Sequence, residues 1–248
     1  AMSTMTSPAV GPLLRRWRSA RHLSQLDLSS ATGVSTRHLS CVETGRAKPS
    51  KELILHLAEE LQVPLRDRND LLLAADYAPV YRHRDLDDPA LRPAMDVLAA
   101  VVQRSEPNPT VVIDRYWNLV QTNAPALWLC SEVDPALLEP PINVARLSAH
   151  PDGLARSIGD FAVYAHHLLA RLRRGAATEQ NPDLDALLVE IEDLVATQRR
   201  PGPTPTIDAD AFALELDIEV GGDRLHLFST IATFGAATDV TLAELSIE

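Results

Sequence analysis

The chain has 248 residues and is 46% hydrophobic, enough for two packed domains of ordinary size. A net charge of −11 spread evenly would exclude a polyanionic partner, yet residues 1–84 hold 12 Lys and Arg against 8 Asp and Glu, while residues 85–248 hold 11 against 26. No apolar run is long enough to span a bilayer and no signal-peptide pattern opens the chain. The two cysteines, Cys41 and Cys130, are too far apart for metal-ligand spacing, so the expectation is a reduced cytoplasmic protein without membrane association or a disulfide framework.

Residues 1–9, rich in Ser, Thr and Pro, read as disordered. A first helix is expected over Pro12–His22, with Leu13, Leu14, Trp17 and Leu23 turned inward and Arg15, Arg16 and Arg21 outward. Ser24 caps a short helix to Thr32 whose apolar positions are Leu26, Leu28 and Ala31, and Gly33 breaks it. Val34 packs inward and Ser35 caps a second helix. Leu39 and Val42 form its apolar stripe, leaving Thr36, Arg37, Ser40 and Cys41 facing away. Two short helices across a tight Gly turn make a helix-turn-helix unit, and the second can enter a DNA major groove. Gly45 ends that helix as a left-handed cap, and Arg46, Lys48 and Ser50 follow as donors placed for phosphate oxygens. Helices over Lys51–Leu61 and Pro64–Ala75 complete a five-helix bundle.

On these residues the segment 11–75 resembles the lambda-repressor-like, or XRE-family, DNA-binding domain, whose motif is matched from Ser24 through Ser50. The alanine common after the first leucine is Ser29 here. The resemblance implies that Gln25 caps the motif and meets a phosphate, that Thr36 and Arg37 read base edges with help from Ser40 and Cys41, and that Arg18 pairs with Glu43 inside the domain. A structural Glu43 also follows from charge, because a carboxylate in the groove would repel phosphate. The expected partner is double-stranded DNA. One small head makes too few base contacts for useful specificity, so a homodimer on an inverted-repeat operator is expected.

The domain expectation is a helix-turn-helix domain over 10–76, a linker over 77–88 and a second domain over 89–248. A helix over Pro89–Gln103, with Leu91, Met95, Leu98, Ala99 and Val102 along one side, lies between them as a signalling or dimer helix. From Pro109 the period changes to strand, tight turn at Asp114–Trp117, strand, then a helix over Asn123–Leu129. A long helix over Leu154–Ala177 and another over Pro182–Thr197 follow, then a proline-rich loop over Arg199–Asp208. Alternation over Phe212–Val220 predicts a strand with one wet face. Gly221-Gly222 turns it into a return strand over Leu225–Phe234, and a last strand or short helix ends near Ile247.

This opening looks like a PAS-type sensor. With RLSAHPDGLA (146–155), HLLARLRRGA (167–176) and LFSTIATFGAATDVTLAELSIE (227–248), it resembles the MmyB-like ligand-binding domain found behind XRE-type heads. The expected fold is therefore multidomain: an all-α five-helix lambda-repressor-like head, then an α+β PAS-like domain with an antiparallel sheet. The resemblance implies a small hydrophobic ligand, a fatty-acyl chain among the candidates, sensed so as to alter operator binding. Candidate wall residues are Trp128, Phe161, Tyr164, Leu168, Phe228 and Phe234, with His166 as the polar end, and ordinary core packing is the alternative for each aromatic. A second reading is a C-terminal domain that binds a partner protein and no small ligand. His150-Pro151-Asp152 reads as a turn, and adjacent His166 and His167 point about 100° apart, which disfavours a shared metal. No hydrolase, P-loop or dinucleotide motif occurs, so no catalytic residue, cofactor or metal is expected.

Overall fold

The computed structural model describes residues 9–179, 181–198 and 214–248. They form two compact units: the described part of Ala1–Asp85 together with Ala236–Ala243, and the described part of Leu86–Gly235 together with Glu244–Glu248.

In the first unit, five helices enclose one core: α1 (Val10–Ala20), α2 (Gln25–Thr32), α3 (Thr36–Glu43), α4 (Lys51–Glu60) and α5 (Leu65–Ala74). Leu14, Trp17, Leu28, Leu39, Ile54, Leu57 and Leu72 are all buried in it. Ser24, Ser35 and Ser50 cap α2, α3 and α4, their hydroxyls accepting from the backbone N–H groups of Asp27, His38 and Leu53. Asp27 returns the bond to the Ser24 N–H and closes a capping box. In α2, however, only Leu28 is buried, and Leu26 is 66% exposed. Two residues along a helix is about 200° around it, so Leu26 and Leu28 cannot share a face.

The second unit begins with α6 (Arg92–Arg104). Strands β1 (Val111–Ile113) and β2 (Leu119–Thr122) follow, joined by a turn in which the Asp114 carboxylate accepts from the N–H groups of Tyr116 and Asn118. Asn123 caps α7 (Ala124–Leu129), and Asn143 caps α8 (Val144–Ala149), a helix the sequence pattern does not announce. Helices α9 (Phe161–Glu179) and α10 (Pro182–Thr197) pack together, burying Leu168, Leu172, Leu187 and Ile191 against Ile113 and Trp117. Strands β3 (Leu214–Val220) and β4 (Asp223–Ser229) form an antiparallel hairpin. Helix α11 (Val240–Ala243) lies between β5 (Ala232–Thr233) and β6 (Ser246–Ile247), and the second sheet runs β2-β1-β6-β5, all pairs antiparallel.

Three segments depart from the periodicity. The expected helix over Leu154–Ala177 starts only at Phe161. Before it, Leu154–Arg156 makes a 3-10 turn, and Ile158 bridges Ile218 while Gly159 N–H donates to the Asp217 carbonyl at 2.8 Å and Glu219 N–H to the Ser157 carbonyl at 2.8 Å. Residues 157–159 thus act as a short extra strand on β3, and that long-range pairing outweighs helix propensity. The return strand stops at Ser229 and resumes as β5 in the other sheet. The end of the chain contains both a short helix and a strand. The proline-rich loop over Arg199–Asp208, Phe212 and most of the N-terminal stretch lie outside the described residues.

Ala236–Ala243 belongs to the first unit by its contacts. Arg84 pairs with the buried Asp239 carboxylate, Val240 N–H donates to the Arg82 carbonyl at 2.8 Å, and the Thr241 hydroxyl donates to the Arg84 carbonyl. Asp239 also accepts from Thr241 N–H at 3.0 Å, so one carboxylate holds both an arginine and the start of α11. Replacing Asp239 by Ala should lower the stability of the first unit by about 2–4 kcal/mol and speed amide exchange across 236–243, measured by thermal unfolding and hydrogen–deuterium exchange.

Candidate nucleic-acid interface and candidate ligand pocket

The turn between α2 and α3 rests on Gly33, whose φ of +72° is left-handed backbone that costs a residue with Cβ. Gly45 repeats the device after α3 at φ +74°. Between these two bends α3 is held by Leu39 and Val42, 2% and 1% exposed. Its outer arc follows from a period of 3.6: Thr36, Arg37, Ser40, Cys41 and Thr44 fall together, away from the core. Arg37 and Thr44 are exposed, and Thr36, Ser40 and Cys41 are half-buried. Thr44 completes this stripe and is legible from the same spacing, its hydroxyl donating to the Ser40 carbonyl at 2.7 Å.

Beneath the arc, the Glu43 carboxylate is 4% exposed and receives Arg18 Nε at 2.7 Å and Arg18 Nη2 at 2.8 Å. Gln25 Nε2 donates to the same carboxylate at 2.8 Å, and Arg18 Nη1 donates to the Leu23 carbonyl at 2.7 Å. One buried acid therefore ties α1, the α1–α2 connection, α2 and α3. Burial pushes the Glu43 carboxyl up, but hydrogen bonds from Arg18 and Gln25 and the charges of Arg18 and Arg15 outweigh it and hold it below the usual range. Gly11, one helical repeat of seven before Arg18, lies on the same side of α1. A Cβ there would meet the Val42 carbonyl at 2.4 Å, so glycine lets α1 seat directly on the backbone of α3. Nothing in sequence spacing alone singles out Gly11.

The remaining head residues divide by occupation. Gln25 is bound to Glu43, and Ser35 and Ser50 serve as caps. Arg46 is exposed. Lys48 is 57% exposed, 3.1 Å from Asp76 and 5.4 Å from the Tyr77 ring.

The candidate pocket residues of the second unit separate. Phe161 and Tyr164 pack against two apolar clusters, one around α9 and α10 and one around β3, and Leu168 is buried in the first. Trp128 is 41% and Phe228 70% exposed, His166 is exposed, and Phe234 is half-buried. Alternation decides this: Phe228 lies on the outer face of β4, opposite the Leu225 and Leu227 side. A cavity of about 170 Å³ opens elsewhere in this unit, lined by Ile113, Trp117, Arg171, Leu172 and Glu244 among others, and none of the seven candidates lines it. At its rim Arg171 stacks 4.3 Å over the Trp117 ring and bonds Glu248 at 2.6 Å. Tyr164 reaches the Ser148 side chain, and burial pushes its hydroxyl pKa up despite that bond. Among the described residues no cluster of three or more His, Cys, Asp or Glu could hold a metal, and no helix is long and apolar enough to cross a membrane. His150 accepts from Asp152 N–H at 3.1 Å, a local turn.

The chain thus places a capped helix-turn-helix head ahead of an α+β unit. The chain belongs to the family described as MmyB-like transcription regulator ligand binding domain, which matches residues 94–248, and residues 9–71 match a family described as helix-turn-helix domain. It is also similar to uncharacterised HTH-type transcriptional regulators of Mycobacterium bovis and of two strains of Mycobacterium tuberculosis. Each is 39% identical over 72 residues, 29% of this chain. The match spans 28% of those relatives' length.

Replacing Glu43 by Ala leaves Arg18 buried without its acid and should destabilise the head by about 3–5 kcal/mol. Because the carboxyl titrates lower in the folded protein than in the unfolded chain, its contribution is complete above the ordinary glutamate pKa and fades as pH falls below about 4. Thermal unfolding at neutral and acid pH should show the loss, with a flatter acid dependence for the variant.

Proposed function

We propose that the chain is a sequence-specific DNA-binding transcription regulator, in which α3 of each head reads one half of an inverted-repeat operator as part of a homodimer. The observation that carries this reading is the outward arc of α3, with Arg37 exposed at its N-terminal end and Leu39 and Val42 fixed behind it. Arg37 has the length and geometry for a bidentate guanine contact, Thr36, Ser40 and Cys41 complete the reading face, and Arg46 and Lys48 meet phosphate. Gln25, Ser35 and Ser50, already engaged as bridge and caps, hold the helix ends whose N–H groups also face phosphate. Two heads about 34 Å apart would multiply the discrimination of one.

The C-terminal unit, in this proposal, senses a small hydrophobic ligand of the fatty-acyl class. A ligand of that size needs roughly 300 Å³ or more, so entry parts the β3–β4 hairpin from α9 at Phe161 and Tyr164, where two apolar clusters meet. Residues 236–243 support a link from ligand to operator, because this segment is bracketed by β5 and β6 yet belongs to the head unit, held there by the Arg84–Asp239 pair. A partner protein at the C-terminal unit is the second reading, favoured by the exposed Phe228 and Ile231, 70% and 50% accessible. The proposal gives the chain no catalytic step.

Replacing Arg37 by Ala should weaken operator binding by about 1–3 kcal/mol and relax one base position without changing thermal stability. Arg46→Ala should weaken all sequences alike and reduce the salt slope by about one. Anisotropy titrations on a selected inverted repeat at two salt concentrations measure both, and unchanged affinity for Arg37→Ala overturns the reading face. Native mass spectrometry of the protein purified from cells should carry a lipid-sized adduct, whereas a co-purifying polypeptide in its place favours the second reading.

A further inference from the structure

Helix α6 (Arg92–Arg104) buries one side and leaves the other bare. Leu98 and Val102 are 1% and 2% exposed, whereas Val97 is 62% and Val101 43% exposed. Pro93, Asp96, Ala100 and Arg104 are exposed as well. By helical period these six fall on one continuous face: apolar Pro93, Val97, Ala100 and Val101, with Asp96 and Arg104 four residues to either side of Ala100. A bare valine pair at the centre of a helix face is surface that solvent disfavours.

We propose that this face is where two copies of the chain meet, α6 running antiparallel to α6 of the second copy across a twofold axis at Ala100. The inference rests on the homodimer reading above and gives that dimer its surface. Charge selects the occupant and its direction. With a rise of about 1.5 Å per residue, Asp96 and Arg104 each stand about 6 Å from the axis, on opposite sides. The twofold therefore brings Asp96 of each copy level with Arg104 of the other, forming two ion pairs at once. A parallel arrangement in the same register would set Asp96 against Asp96 and Arg104 against Arg104. Ala100, small and central, lets the helix axes approach to about 8 Å and the valines interdigitate. Helix α7 is joined to the C-terminal end of α6 by Asn123, whose Nδ2 donates to the Val102 carbonyl at 3.2 Å. It carries the exposed Leu127 and Trp128, which can widen the contact. A helix of about 20 Å makes a small interface, so the free dimer is weak and gains from two heads engaging one duplex.

Sedimentation velocity of the full chain over a wide concentration range tests this. The unaltered chain should self-associate, and the Val97→Asp, Val101→Asp double variant should sediment as a monomer with unchanged thermal unfolding, since both sites are exposed. Asp96→Arg and Arg104→Asp should each weaken association about tenfold, and combining them should restore it to within about threefold. A dimer indifferent to all four variants overturns the α6 surface and leaves the homodimer reading standing. An unaltered chain that is monomeric at every concentration overturns both.

Discussion

The Glu43 carboxylate is the constraint on which the head depends. It is buried under the outer arc of α3, and a buried charge persists only if partners replace the water it has lost. Arg18 supplies two hydrogen bonds in a fork and Gln25 a third, so satisfying one acid fixes the angle between α1, α2 and α3. Gly11 sets the distance while Arg18 sets the orientation, since α1 touches the α3 backbone at one and its terminal carboxylate at the other. What α3 presents outward is therefore determined by what it binds inward. The proposed reading face needs no rigidity of its own.

A different logic governs the second unit. The strands of its four-stranded sheet are short: β5 and β6 have two residues each, β1 three and β2 four. Such strands are not stable in isolation and take their positions from the α9–α10 core behind them. Trp117, at φ +67° in the β1–β2 turn, anchors that core and supports Arg171 on its ring. The same economy lets the chain leave the sheet after β5, contribute Ala236–Ala243 to the head unit, and return as β6 beside β1. A segment held in one unit and bracketed by strands of the other is tethered at both ends, which gives the ligand-to-operator reading a covalent route.

Charge is sorted along the chain to match. The excess of Lys and Arg over Gly11–Lys51 collects around a motif proposed to face phosphate, while the acidic remainder would be repelled by it. Within the basic segment, position still matters: Arg18 is consumed by Glu43 and Lys48 lies near Asp76, whereas Arg15, Arg37 and Arg46 are exposed, the last two on either side of the α3 C-terminal bend.

The sequence by itself determined the features with local causes. Ser24, Ser35 and Ser50 each bond to the amide three residues on, Gly33 and Gly45 take backbone that other residues avoid, and the spacing of Leu39 and Val42 sets the face of α3. These are visible in a window of a few residues, and the family motif rests on them. Tertiary structure alone decided the rest. Ile158 left its helical pattern because a strand sixty residues away offered its backbone a partner, and α8 exists inside a stretch with no clear period. Asp239 went to the head because Arg84 stood there to neutralise it. The aromatics expected to share one pocket parted because β4 turns Phe228 outward while α9 turns Leu168 in. In each case the deciding partner lies far along the chain, and a pattern read over one helical turn or one pleat carries no record of it.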